Sequence, residues 1–122
     1  MANEITITAK LLCQNGNFEA STNASRISVT QSALGCQKAV QEIGTSYEQV
    51  ILGDVSTEGY AMFRNLDATN FIQLGLDGGA SLTPVVRLKA GEVALFRIDA
   101  GATIFAKADT AACDLDVLIL EN

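Results

Sequence analysis

Val93-Ala-Leu-Phe-Arg-Ile98, Asp99-Ala-Gly101, Thr103-Ile-Phe-Ala-Lys107 and Cys113-Asp-Leu-Asp-Val-Leu-Ile-Leu-Glu121 decide the fold. Each apolar run is short, and each is cut off by Asp, Gly or Ala before a helix could complete three turns. Runs of this length, broken by turn residues about every ten positions, predict an all-β sandwich or barrel rather than βαβ units. In the last run Asp114 and Asp116 face one way, Leu115 and Val117 the other. Leu118, Ile119 and Leu120 are then apolar on both faces, so this strand is expected to run centrally or to meet another subunit.

Outward from there the rhythm holds. Leu82 to Lys89 reads as a strand with Pro84 near its start, a place tolerated on an edge. Phe71 to Leu76, Tyr60 to Arg64 and Gln49 to Gly53 read as strands, separated by turns at Asp77-Gly-Gly-Ala80, Asn65 to Asn70 and Asp54 to Gly59. Near the N-terminus Ile5, Ile7, Ala9 and Leu11 alternate with Thr6, Thr8 and Lys10. Asn15-Gly16-Asn17 then turns the chain into Phe18-Glu-Ala, a strong hairpin signal. Ile27 and Val29 alternate with Arg26, Ser28 and Thr30. Gln37 to Ile43 segregates poorly as a strand and would group Ala39, Val40 and Ile43 as a helix; Gly35 and Gly44 bound it too tightly for a long helix, so a strand is expected. The reading is a single domain over residues 1–122, a two-sheet antiparallel sandwich of about nine or ten strands, jelly-roll-like.

Composition narrows the chemistry. The chain has 122 residues with 48% apolar and 18% charged, enough to fold around its own core. It contains no histidine, which removes His-ligated zinc, Ser-His-Asp and Cys-His catalysis and a histidine proton shuttle. No serine sits in a Gly-x-Ser-x-Gly elbow, and Asp77-Gly-Gly-Ala80 lacks the Lys-Ser/Thr and helix of a phosphate loop. A net charge of −6 with no basic cluster argues against nucleic acid as a partner. Arg87, Lys89, Arg97 and Lys107 lie on successive strands, where they would form a modest basic strip on one outer face. The N-terminus has no basic n-region, and the longest strongly apolar run is Val117 to Leu120, so neither export nor membrane spanning is expected. Cys13, Cys36 and Cys113 match neither a CxxC pair nor a zinc knuckle and are expected to be buried and reduced. We expect no enzyme, no cofactor and no metal.

Asn65, Asp67 and Asn70 are the most specific cluster. Asn and Asp side chains bond their own backbone and hold turns, and the loop lacks EF-hand acid spacing, so a structural turn is expected in preference to a calcium site. Asp114 and Asp116 read as a solvated strand face. A mean hydropathy of +0.25 in so acidic a small chain implies exposed apolar surface, which marks interfaces. The candidate interface residues are Glu4 and Ile5 in an N-terminal arm (Met1 to Thr6), Leu118 and Leu120 in a C-terminal arm (Leu118 to Asn122), and Leu34 and Tyr47 beside the ambiguous segment.

From Gly59 to Asn122 the chain resembles small virion proteins of tailed bacteriophages. The resemblance rests on Gly59-Tyr-Ala-Met-Phe-Arg-Asn-Leu-Asp67 through Asn70, on Leu88-Lys-Ala-Gly-Glu-Val93, and on Ile104 to Ala112 before the closing apolar strand. It implies a β-sandwich assembly protein of the particle and transfers no catalytic residue. The expectation that follows is a capsid cement or decoration protein, clamping neighbouring shell subunits from the outside. Its partners would be the major capsid protein or other virion proteins. It would be a homo-oligomer, with a trimer favoured, in the virion after assembly in the host cytoplasm. A tail, neck or baseplate component would use the same fold, and a carbohydrate-binding attachment module would need aromatic platforms that only Tyr47 and Tyr60 could supply.

Overall fold

A computed structural model describes residues 2–122; Met1, at the start of the expected N-terminal arm, lies outside the described residues. The chain divides into two compact units, Met1–Ser32 and Ala33–Asn122. Every strand pairing is antiparallel, and there is no helix among the described residues.

The first unit is one long hairpin. β1 (Ile5–Ala9) pairs with β4 (Ser25–Val29), and β2 (Leu12–Asn15) pairs with β3 (Phe18–Ser21). Asn15 pairs with Phe18, so Gly16 and Asn17 are the two loop residues. Gly16 sits at φ +59 and Asn17 has no positive φ, which places glycine first in the turn, the II′ arrangement that suits strand twist. Near the middle, the Thr22 N–H donates to the Leu11 carbonyl at 2.8 Å, and the Leu11 N–H donates to Thr22 Oγ1 at 3.0 Å. Between the Ala9–Ser25 pair and this contact the returning strand carries one extra residue, a β-bulge that keeps the faces of both halves in phase. The sequence alternation from Ile5 to Leu11 is therefore one face of one ribbon, interrupted only at Lys10 and Leu11.

The second unit holds eight strands: β5 (Cys36–Ile43), β6 (Glu48–Gln49), β7 (Glu58–Asn65), β8 (Ile72–Asp77), β9 (Leu82–Leu88), β10 (Val93–Arg97), β11 (Phe105–Ala108) and β12 (Cys113–Glu121). They form two four-stranded sheets, β10-β7-β12-β5 and β6-β11-β8-β9. The pairings nest: β8 with β9, β7 with β10, β6 with β11, and β5 with β12. The two sheets are open, and their inward residues meet in one apolar cluster, a sandwich-like packing. Phe63, Leu115 and Ile119 of one sheet and Ile72, Leu74 and Ala106 of the other are among its most buried members.

β5 shows why its sequence was ambiguous. Its inward-pointing Gln41 accepts the Ile51 N–H at 2.9 Å and donates to the Gln49 carbonyl at 3.1 Å. A polar side chain on the inner face, satisfied by a neighbouring backbone, hides the period of a strand. The strand expected at Gln49–Gly53 contracts to β6. Val50 buries its side chain completely and gives its N–H to the Ile104 carbonyl at 3.0 Å, and Gly53 turns at φ +57. The end of the chain is no arm. Leu118 and Leu120 lie in β12, between β7 and β5, because Val117 and Ile119 on the opposite face are core residues. The single basic strip also dissolves. Lys107 and Arg87 flank Gln73 on the outer face of one sheet, Arg97 lies on the other sheet, and Lys89 falls beyond the end of β9.

At β8–β9 the register shifts between Leu74 and Gly75. A Cβ on Gly75 would collide with the Thr83 carbonyl. The glycine admits the bulge, and the bulge together with Pro84 blunts the β9 edge against strand pairing.

Candidate functional site

Asn65 ends β7 and is completely buried. Its Nδ2 donates to the Asn70 carbonyl at 2.8 Å and to the Leu88 carbonyl at 3.0 Å, while Oδ1 accepts the Asp67 N–H at 2.9 Å. Both donors and the acceptor are thus used, and one side chain ties the turn to the end of β9. Asp67 Oδ2 accepts the Asn70 N–H at 2.6 Å and the Thr69 N–H at 2.9 Å. These backbone donors, Asn70 first and Thr69 next, hold its carboxyl below the ordinary value of 3.8. Asn70 Oδ1 accepts the Thr110 hydroxyl at 2.9 Å, extending the network to the loop before β12. Asn65, Asp67 and Asn70 are therefore brought together as the sequence groups them. Asn65 Oδ1, Asp67 Oδ2 and Asn70 Oδ1 each accept from a protein donor.

Glu121, which sequence reasoning passed over, holds a second such knot. It is 5% exposed, and its carboxylate accepts the Ser56 hydroxyl at 2.7 Å, the Ser56 N–H at 2.8 Å and the Thr57 N–H at 2.9 Å. The Ser56 hydroxyl, followed by the two N–H groups, lowers its carboxyl from the ordinary 4.5. No signal in the sequence couples Glu121 to Ser56, which lies 65 residues away.

The remaining expected residues scatter. Glu4 is exposed and Ile5 is buried at the start of β1. Leu34 is 94% exposed. Tyr47 packs on Phe105 with centroids 5.7 Å apart, and its hydroxyl donates to Asp77 Oδ1 at 3.0 Å. That carboxylate raises the Tyr47 pKa above 10.0. The Tyr60 ring lies under the Arg97 guanidinium, 4.5 Å from its centroid. Both tyrosines are thus engaged within the chain. Of the cysteines only Cys113 is buried; Cys13 and Cys36 are exposed, against the expectation for all three. Burial, ahead of nearby acids, pushes the Cys113 thiol up.

Two surfaces with exposed apolar side chains stand out instead. On the β10-β7-β12-β5 sheet, cross-strand pairing aligns Leu95, Met62 and Leu118 in one outward row. The adjacent rows are mixed: Arg97 and Tyr60, with Leu120 beyond them, on one side, and Val93, Arg64, Asp116 and Val40 on the other. Met62 and Leu95 are 39% and 40% exposed. Lys38, Arg64 and Asp116 join Met62 and Leu118 around a shallow concavity of about 130 Å³. The outer face of the other sheet carries the polar row Lys107, Gln73 and Arg87 in the same position. On the hairpin, the face that carries Ile5, Ile7, Ala9, Ile27 and Val29 holds no charged residue, while the opposite face carries Thr6, Thr8, Arg26 and Ser28. Toward the tip Leu11 and Phe18 are 74% and 61% exposed.

Among the described residues no group of three or more His, Cys, Asp or Glu side chains is placed to hold a metal ion. No protein-family model, curated protein or solved structure matches the chain.

Proposed function

We propose that the chain is a structural protein of a tailed-phage virion, a capsid cement or decoration protein that clamps neighbouring shell subunits from the outside. The observation that carries this reading is the N-terminal hairpin. A two-stranded ribbon is marginal on its own in water. This one keeps Leu11, Phe18 and Ile27 largely in solvent. A segment of that kind is an arm, built to be completed by a neighbour. The arm replaces the short terminal arms expected from sequence: it runs through residues 5–29 and leaves β12 inside the sheet.

The strand order of the second unit supports a jelly-roll reading. Its first strand pairs with its last, its second with its next-to-last, and so inward, the pattern made by wrapping one long hairpin into two nested Greek keys. In this role the protein is no enzyme and needs no cofactor, nucleic acid or membrane. Its partners are the major capsid protein and further copies of itself, gathered during assembly in the host cytoplasm. The acidic second unit is kept off the packaged genome by its charge. The engaged faces of Tyr47 and Tyr60 weigh against a sugar-binding module.

Co-sedimentation of the purified chain with expanded heads that lack it tests the reading. Saturable binding across the shell surface is expected. Binding only at a tail or neck vertex would move the protein to that station, and no binding to any particle would overturn the assembly role.

A further inference from the structure

The hairpin and the outer face of the β10-β7-β12-β5 sheet answer to the same need. One is a ribbon that leaves Leu11, Phe18 and Ile27 exposed; the other is a sheet face whose exposed Leu95 and Met62 run between rows that carry Arg64, Asp116 and Arg97. We infer that the hairpin of one copy lies on this sheet face of a second copy, with the Leu11–Phe18–Ile27 side of the ribbon against the Leu95–Met62–Leu118 row. The inference rests on the homo-oligomeric part of the reading above and names its contact.

Charge selects this occupant. Residues 1–32 contain Glu4, Glu19, Lys10 and Arg26, a net of zero. Residues 33–122 contain twelve acids and six bases and carry the whole −6. Two bodies meeting face to face would bring their −6 charges together, whereas the neutral hairpin approaches a body without that repulsion. The contact stripes agree in detail. The ribbon face that carries Ile5, Ile7, Ala9, Ile27 and Val29 is free of charge, and so is the Leu95–Met62–Leu118 row; Lys38 continues that row on β5, and Arg64, Asp116 and Arg97 flank it. The charges of the hairpin are Lys10 in the interruption between β1 and β2, Arg26 on its opposite face, Glu19, and Glu4 before β1. Stacked β layers lie about 10 Å apart with side chains interdigitated, which is the packing a ribbon on a sheet would adopt. Such a contact is heterologous: it can close as a reciprocal pair or as a ring, the trimer included, and runs on as an open filament where the rotation does not close.

Complementation between two variants of the full chain tests the contact. Phe18→Glu spoils the hairpin, and Met62→Glu spoils the sheet face; both side chains point to solvent, so each variant is expected to keep the wild-type circular dichroism spectrum. By sedimentation velocity the wild type is expected to oligomerise, and each variant alone to weaken self-association at least tenfold. An equimolar mixture then restores one good hairpin and one good face, and a heterodimer is expected. Failure of the mixture to associate would overturn the inference in favour of face-to-face or hairpin-to-hairpin contact. A monomeric wild type at all concentrations would overturn it as well. If Met62→Glu misfolds, Leu95→Glu puts the charge in the same row. Shell binding is read separately: a heterodimer that forms while wild type ignores phage heads would sink the cement reading and leave this contact standing.

Discussion

Asn65→Asp is the substitution that probes the architecture most sharply, because it changes almost no volume. It replaces an amide that donates to the Asn70 and Leu88 carbonyls at 2.8 and 3.0 Å with an oxygen that repels both. The acceptor bond from the Asp67 N–H survives. Two net hydrogen bonds are worth about 1 kcal/mol each, and each buried carbonyl left unpaired adds about 1 kcal/mol or more. The expected cost is about 4 kcal/mol, a large share of the roughly 5–15 kcal/mol of an ordinary domain. For a chain of this size that corresponds to a fall in Tm of about 15–20 °C. Differential scanning calorimetry at neutral pH measures it. The far-ultraviolet spectrum should stay that of a β protein below the transition. A fall of less than about 3 °C would refute the claim that the Asn65 side chain ties the turn to β9.

Acid should act through Glu121 and Asp67. Both carboxyls are lowered in the fold, so their contribution is present above the ordinary values of 4.5 and 3.8 and is lost as pH falls through the lower folded values. Glu121→Gln should therefore be less stable than wild type at pH 7, with the gap closing in thermal melts below about pH 4. At Cys113, burial raises the thiol, and Cys13 and Cys36 are exposed. In the Met62→Glu variant two thiols should react at once with a disulfide reagent and the third only on unfolding; three fast thiols would contradict the burial. Gly75→Ala forces a Cβ into the Thr83 carbonyl and should cost about 3 kcal/mol in urea titration. An unchanged midpoint would mean that the bulge can shift.

The strands of the second half were legible because their solvent and core positions alternate cleanly, as Asp114, Leu115, Asp116 and Val117 do. β5 was legible only through its flanking glycines, since Gln41 spends its amide on the backbone of residues 49–51 instead of on water. β6 was over-read because Val50 is apolar for a reason other than strand pairing: it plugs the core. For the turn, Asx chemistry grouped Asn65, Asp67 and Asn70, but nothing local revealed that Asn65 reaches Leu88. The bare surfaces lie furthest from the sequence. Alternation shows that Met62 and Leu118 oppose the core; only the register between β7, β10 and β12 places them in a row with Leu95. The alternation from Ile5 to Leu11 was visible, yet it reads the same whether the apolar face is buried or left open. Cys13 and Cys36 were misread for the same reason.

We have proposed that this chain is a repeated component of a phage shell. Quantitative mass spectrometry of purified particles, scaled to the major capsid protein, tests it most directly. Copies in a fixed, near-equal ratio to that protein are expected. A handful per particle would contradict the cement reading in favour of tail or neck, and complete absence would contradict a virion role altogether.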